Sequence, residues 1–509
     1  MRLVGGAEMR AIDRAAIGGL GVPSLELMER AGRAVTEAAV RLARPDGRFV
    51  VVCGGGNNGG DGWVAARLLQ PSGRVRLVAV VAPGQLTGDA AAMARRALEA
   101  GVTVLPFVDG APLGAGPDDL VIDAVFGTGL SRPAEGRFAA AIEAIAAARR
   151  GGSRVLSVDV PSGLSADTGR PLGPCVEADA TVTFGLQKRG LVLFPGATLA
   201  GTVTVADIGL PAAAVEQVAE QCRLLEEPEA RGLLPRRDPA AHKGDAGRVL
   251  VVAGSPGKTG AAHLALLGAL RGGAGLVTLA ARAELLPLAL AGRPEALSVA
   301  LPGSGPLGAG DLPALTELAG RADALVAGPG FHRGAETGRL LRDWLAAAGR
   351  PAVLDADALN ALEPEPAWLR QLPAPVILTP HPGELARLCG LTAGAVQGDR
   401  IGLAMARAAA WGAVVVLKGA RTVVAGSGMP AAVIPTGNAG MATGGTGDVL
   451  AGLCGALLAG GLGPFDAARV AAWVHGAAGD LVAARLGERG LLAGDLGEAI
   501  GKVWARWGR

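Results

Sequence analysis

VVCGGGNNGGDGWVAARLL, residues 51–69, runs from a β-branched strand through a glycine-rich turn into a helical pattern. Gly54, Gly56 and Gly59 carry the G-x-G-x-x-G spacing that frees backbone N–H groups at a helix N-terminus for phosphate. A strand–loop–helix of this kind belongs to a parallel sheet covered by helices. The pattern repeats: RFVVVC, VRLVAVV, LVIDAVF, RVLSVDV, ADATVTF and TVTVADI alternate with Ala/Leu/Arg-rich stretches. It lapses at RLLEEPEARGLLPRRDPAAHKGD (223–245), where charges and prolines mix. It resumes with RVLVVAG (248–254), GLVTLAA, ADALVAGPG, PAVLDAD, PVILTPH and AVVVLKG. Two separately wound α/β units are expected, over 1–222 and 240–509, with a connector at 223–239.

Half of the 509 residues are hydrophobic, 18% are charged, and the formal net charge is +2, which leaves no electrostatic footing for nucleic acid. The longest uncharged apolar run, Val449 to Phe465, is Gly-rich and reads as a buried helix rather than a membrane span. MRLVGGAEMRAIDRA carries acids and no apolar run, so no signal peptide is expected. The cysteines (53, 175, 222, 389 and 454) are scattered and never spaced C-x-x-C, as suits reduced core thiols. Lysine stands only at 188, 243, 258, 418 and 502, and asparagine only at 57, 58, 360 and 438, in a chain otherwise rich in arginine. Lysine is a compact point charge and arginine a planar fork, so lysines retained at strand ends mark tight anionic contacts.

A redox dinucleotide site also wants an acid at the end of the second strand, to hold the ribose. Here VRLVAVVAPG ends in Val81 and Ala82, with no acid. The first loop instead carries Asn57, Asn58 and Asp61, oxygen donors suited to a cation. Asp123 in VIDAVFGTGL, Asp159 and Ser162 in VDVPSGLSADTG, and Lys188 in TFGLQKRG close other strands, and carboxyl ends of parallel strands share one edge. An isolated aspartate there also serves as a helix N-cap.

GGGNNGGDG, VIDAVFGTGL, VDVPSGLSADTG and TFGLQKRG resemble, in order, the YjeF N-terminal family of NAD(P)H-hydrate epimerases, across essentially all of 1–222. The resemblance implies a Rossmann-like three-layer α/β/α sandwich that interconverts the R and S forms of hydrated NADH and NADPH. It places the substrate on Asn57, Asn58, Gly59, Gly60 and Asp61, and on Gly127, Thr128, Gly129, Leu130, Ser131, Arg132 and Pro133. Asn58, Asp123 and Ser162 match the family's potassium ligands. Asp159 would contact the substrate beside the reacting carbon, and as the nearest titratable group it is expected to act as acid/base.

In the second half, GNAGMATGGTGDVLAG (437–452) places Gly444, Gly445 and Gly447 at the start of an apolar helix, an anion cradle at a positive dipole end. Asp448 sits inside that cradle, where a carboxylate suits deprotonation of a hydroxyl attacking phosphorus, or serves only as a dipole-favoured first-turn acid. AGSPGKTGAA (253–262) is not a Walker A loop, because position 252, where a glycine is required, is Val. Gly330, DADALN (355–360), His381 and Glu384 in LTPHPGE, and Lys418 in LKGART stand at other strand ends.

HKGDAG, AGSPGKTGAA, AGPG, DADALN, TPHPGE, LKGA and ATGGTGDVLAG resemble the YjeF C-terminal family, ADP- or ATP-dependent NAD(P)H-hydrate dehydratases of ribokinase-like α/β/α fold, over about 240–509. The resemblance implies that Ala262, Gly330, His381 and Asp448 contact the hydrate, and that Lys418, Gly419, Ala420, Arg421, Thr422 and Gly447 hold the adenine nucleotide with magnesium. Ala439 stands where many relatives carry proline. A bifunctional, cytoplasmic, homo-oligomeric repair enzyme is expected, taking hydrated NADH or NADPH and ADP or ATP as ligands and binding neither nucleic acid nor membrane. The rival readings are a ribokinase-fold kinase of a small alcohol with a regulatory nucleotide-binding module before it, and, less well matched, a redox dehydrogenase.

Overall fold

A computed structural model describes residues 1–332, 334–362 and 364–508. The chain divides into two compact units, Arg2–Gln221 and a second that starts at Cys222 and includes Met1. In the first, the β-branched runs form β1 (Phe49–Cys53), β2 (Val75–Ala79), β3 (Val104–Pro106), β4 (Leu120–Ala124), β5 (Arg154–Val158), β6 (Ala180–Phe184) and β7 (Thr202–Ala206). All pair in parallel, in the order β3-β2-β1-β4-β5-β6-β7. Alternate residues serve opposite faces. Phe49 and Val51 join the core of α1 (Ser24–Leu42), α2 (Asn57–Leu69) and α3 (Gly88–Glu99), whereas Val50 and Val52 pack on α4 (Gly136–Arg150). The strand order reverses between β1 and β4, which opens a crevice at their carboxyl ends.

The second unit contains β8 (Cys222–Leu224), β9 (Arg248–Val252), β10 (Leu276–Arg282), β11 (Leu297–Leu301), β12 (Ala324–Ala327), β13 (Ala352–Leu354), β14 (Val376–Leu378), β15 (Val414–Leu417), β16 (Val423–Ala425) and β17 (Ala431–Val433). They lie in the order β11-β10-β9-β12-β13-β14-β15-β16-β17-β8, antiparallel only along β15-β16-β17. The reversal between β9 and β12 again marks a crevice. Helices α5 (Thr259–Arg271), α6 (Pro382–Cys389), α7 (Arg400–Trp411), α8 (Thr446–Ala459) and α9 (Pro464–Leu486) flank this sheet.

Two expectations are corrected. Part of the 223–239 connector is structured: β8 pairs with β17, the helix Glu227–Leu233 follows, and Leu225 and Ala230 are buried in the core. Its charges are paired, since Glu229 accepts from Arg223 at 3.0 Å and from Arg469 at 3.2 Å. The apolar run Val449–Phe465 is not one helix. Gly460–Gly463 ends α8 and Pro464 starts α9, where its fixed φ suits a first helical position.

Every residue of α8 from Val449 to Leu458 is buried. The helix reaches that depth by crossing α5 backbone to backbone. A Cβ on Gly268 would lie 2.0 Å from the Val449 carbonyl oxygen, and one on Gly452 would lie 2.0 Å from that of Ala265. Gly268→Ala and Gly452→Ala should each therefore cost about 1–3 kcal/mol in denaturant unfolding. Gly320→Ala, at a helix end with nothing within 4 Å of the new methyl, should stay within about 0.5 kcal/mol of the parent. Equal behaviour of the three would contradict the packing described.

Candidate active sites

In the first unit, a cavity of about 470 Å³ lies at the β1/β4 reversal and gathers Asn57, Asn58, Asp61, Gly127, Thr128, Gly129, Leu130, Asp159 and Lys188. The strand-end residues expected to converge therefore do so. Gly59 and Gly60 are buried in the first turn of α2, whereas Ser131, Arg132 and Pro133 are exposed and do not line the cavity.

Asp159 follows β5 in the left-handed backbone region, φ 65°, where a non-glycine residue is under strain. Its Oδ1 accepts from Thr183 Oγ1 at 3.0 Å and faces Lys188 Nζ at 2.7 Å, and its Oδ2 accepts from the Thr128 N–H at 3.2 Å. Lys188 is fully buried and also donates to the Phe184 carbonyl at 2.8 Å. Burial pushes the Asp61 carboxyl well above the usual range; Asp159 and Asp13 add to the rise and Lys188 opposes it. Asp13, which the sequence reading passed over, lines the same cavity and is pushed up to about 6 by burial. Its signal was an acid beside Met9, Ile12 and Ala16, the inward stripe of an N-terminal helix.

Asp123 is fully buried, and among the described residues no Lys or Arg pairs with it. Its Oδ1 accepts from Ser162 Oγ at 2.5 Å, and its Oδ2 accepts from the Ser162 N–H at 2.8 Å and Ser157 Oγ at 2.9 Å. Burial raises its carboxyl, and these hydrogen bonds pull it back. Both amide atoms of Asn58 are buried without a hydrogen-bond partner. A Cβ at Gly127 would fall 2.8 Å from Asn58 Oδ1 and 2.9 Å from Asp159 Oδ2, so both side chains converge on that glycine.

In the second unit, α8 starts from Gly445 at φ 92°, and Asp448 lies in its first turn. Lys418 Nζ stands 2.6 Å from Asp355 Oδ1 and 4.0 Å from Glu384 Oε2, and a Cβ on Gly447 would lie 3.1 Å from that Nζ. Burial pushes Asp448 up to about 7, with Asp355, Asp357 and Glu384 adding to the rise and Lys418 opposing it. Glu384 is raised to about 7 for similar reasons. Burial pulls the Lys418 ammonium down, but Asp355 and Glu384 more than offset this and hold it above its ordinary value. A second pair, Lys258 Nζ to Asp357 Oδ2 at 2.7 Å, links the AGSPGKTGAA loop to DADALN.

Gly330 sits at φ 68°, where a Cβ would lie 2.7 Å from the Lys258 carbonyl oxygen. His381 is the N-cap of α6, its Nδ1 accepting from the Gly383 and Glu384 N–H groups at 3.0 and 3.3 Å, and its imidazole is more than half exposed. Ala262 stands in the first turn of α5 with its side chain buried in the helix-packed core. The stretch Lys418 to Thr422 is braced from below by Arg400, whose guanidinium donates to the carbonyls of Leu417 at 3.0 Å and Lys418 at 3.2 Å. Among the described residues the buried Arg282 and Arg469 each pair with a carboxylate and the buried Arg400 pairs with none, and burial lowers Arg400 to about 10. Buried His475 touches the Thr446 carbonyl through Nε2 at 2.8 Å, at the mouth of α8. Neither Arg400 nor His475 carries a motif; each is found only by folding α7 or α9 against the loop.

Full-length relatives share this two-part chain. The bifunctional NAD(P)H-hydrate repair enzyme of Moorella thermoacetica is 44% identical over 97% of this chain and 95% of its own. That of Escherichia coli strain K12 is 38% identical, over 97% and 92% respectively. The chain belongs to the bifunctional NAD(P)H-hydrate repair enzyme family. Family models agree, one described as NAD(P)H-hydrate dehydratase matching 249–502 and one as YjeF-related protein N-terminus matching 24–190. The ADP/ATP-dependent NAD(P)H-hydrate dehydratase of Bacillus subtilis, crystallised with ATP/Mg2+, is 32% identical, covers 57% of this chain and all of its own, and superposes with a TM-score of 0.50.

The raised carboxyls of this family member have a consequence for stability. A carboxyl that titrates near 7 when folded and near 4 when unfolded favours the fold fully below about pH 4, and that contribution is lost as pH rises toward 7. Asp448→Asn should therefore stabilise the chain by on the order of 1 kcal/mol or more at pH 8 and have little effect at pH 4. Melting curves at the two pH values check this, and a uniform shift would contradict it.

Proposed function

We propose that the first unit epimerises hydrated NADH or NADPH, and that the second dehydrates the S form to NAD(P)H at the expense of ADP or ATP. The products of the second step would be AMP or ADP, and phosphate. The observation that carries the reading is Asp448, a carboxyl raised to about 7 inside a glycine cradle that also faces Lys418. In its ionised form it takes the proton of the ring hydroxyl as that oxygen attacks the terminal phosphorus. The N–H groups at the start of α8 and the Lys418 ammonium stabilise the charge that develops. Phosphate then leaves with the C–O electron pair as the ring nitrogen's lone pair forms an iminium. The neighbouring ring carbon gives up a proton to the departing phosphate, which restores the ring double bond. His381 and Gly330 would position the hydrate, and Lys418 to Thr422 with Gly447 the nucleotide. Ala262 would only leave room.

Among the described residues no His, Cys, Asp and Glu side chains cluster as a metal site. Magnesium would therefore enter with the nucleotide phosphates, with Asp355 and Glu384 as hard oxygen donors beside them. In the first unit, Asn57, Asn58, Asp61 and Gly127 to Leu130 would hold the dinucleotide, with Gly59 and Gly60 shaping the turn and Ser131 to Pro133 kept at the rim. Asp159 would meet the reacting carbon as acid/base. Asn58, Asp123 and Ser162 fit a potassium ion, because among the described residues the buried Asn58 oxygen has no hydrogen-bond partner and no Lys or Arg pairs with the buried Asp123 carboxylate. When bound, potassium supplies a fixed charge that offsets Asp123 and the dinucleotide phosphates. The reading places the enzyme in the cytoplasm, where its free cysteines stay reduced. Among the described residues no helix is long and apolar enough to cross a membrane.

The test supplies hydrated NADH with ADP and follows the absorbance of the reduced ring. Asp448→Asn should slow its return by at least about 10²-fold and leave epimer exchange unchanged. Accumulation of a stable phosphorylated alcohol by the parent chain would instead establish a kinase.

A further inference from the structure

The epimerase cavity has a wall that the family match does not include. The helix Gly6–Arg14 precedes the matched stretch 24–190, yet Met9, Arg10 and Asp13 line the cavity, with Ile17 one turn on. This helix is tied to the site on both sides. Glu8 pairs with Arg189, the neighbour of Lys188, and Arg10 Nη1 reaches the carbonyl of Thr128 at 3.5 Å. At its start, the Gly6 N–H donates to Asp167 Oδ1 at 2.9 Å. Asp13 is thus held in the cavity that Asp159 also lines, and among the described residues its carboxyl has no hydrogen bond or ion pair.

Epimerisation must break and remake the bond between the ring carbon and its hydroxyl. Hydroxide is a poor leaving group, so a proton has to be delivered to that oxygen. Both oxygens of Asp159 are already engaged, Oδ1 by Lys188 and Thr183 and Oδ2 by the Thr128 N–H, whereas the Asp13 carboxyl is open to the cavity. We propose that Asp13 is a second catalytic carboxyl of the epimerase site, the one that protonates the departing ring hydroxyl. The inference rests on the epimerase reading given above.

The step balances. Asp13 in its acid form gives its proton to the hydroxyl, and the C–O electron pair leaves with water. The ring nitrogen's lone pair fills the vacated carbon as a conjugated iminium. Water adds to the opposite face through an oxygen lone pair and loses one proton to Asp159. The reverse reaction exchanges the two roles, and nothing is consumed. The charged groups facing Asp13 are Asp61 from α2, Asp159 beyond β5 and Lys188 beyond β6, with Arg10 on its own helix. Burial raises Asp13 to about 6, with Lys188 opposing the rise and Asp159 adding to it, so that it gives and regains a proton near neutrality.

The test uses the full chain with purified R hydrate, reading R-to-S exchange by chromatography without ADP and dehydration of the S hydrate with ADP. Asp13→Asn should lower kcat for exchange by at least about 10²-fold, keep KM within about threefold, and leave S dehydration intact. Asp13→Glu should recover part of the rate. The parent's kcat should fall as pH rises above about 6, and the asparagine variant should lose that limb. Exchange by Asp13→Asn within twofold of the parent, or a loss confined to KM, would overturn the assignment. If Asp159→Asn is inactive in that case, only the role of Asp13 fails. If Asp159→Asn is also fully active, the epimerase reading of the cavity fails with it.

Discussion

A lysine set among more carboxylates than it can neutralise, fully buried in the first unit and partly buried in the second, governs both sites. Lys188 lies 2.7 Å from Asp159, with Asp61 and Asp13 nearby, and Lys418 lies 2.6 Å from Asp355, with Glu384 and Asp448 nearby. A buried carboxylate left unpaired costs several kcal/mol, so the surplus groups keep their protons to higher pH. Asp13 at about 6 and Asp448 at about 7 are that surplus. The imbalance turns ordinary aspartates into groups able to move protons in neutral solution. An arginine in place of either lysine would bring a planar fork where a compact charge fits between carboxylate, backbone carbonyl and glycine.

Parallel sheets bring these charges together. Each unit reverses its strand order once, between β1 and β4 or between β9 and β12, and the polar strand ends gather at that edge. The second unit adds a constraint of its own. Helix α8 must press its glycine-rich start toward the charges, and the backbone contact through Gly268 and Gly452 allows that approach. His475 and Arg400 then hold carbonyls on either side of the cradle.

Much of this was legible in the sequence, because it rests on short-range signals. The β-branched runs became strands, and the glycine loops became helix starts carrying Asn58 and Asp448. Rarity was informative too, since Lys188 and Lys418 are two of the few lysines and both sit at the centre of a carboxylate group. What the sequence hid depends on distant pairing. Glu229 reads as part of a connector until Arg223 and Arg469 are folded against it. Ser131 to Pro133 continue a motif beyond the cavity. Asp13 and Arg400 lie on ordinary amphipathic helices, and only the packing of those helices shows that one enters a cleft and the other supports a loop.

The central claim is that Asp448 directs the ring hydroxyl onto phosphorus, so that the oxygen lost from the ring leaves as phosphate. Hydrated NADH prepared with oxygen-18 in that hydroxyl, turned over with unlabelled ADP in ordinary water, tests this by mass spectrometry of the released phosphate. The account predicts one labelled oxygen in each phosphate formed. Label recovered in water, with unlabelled phosphate, would contradict it.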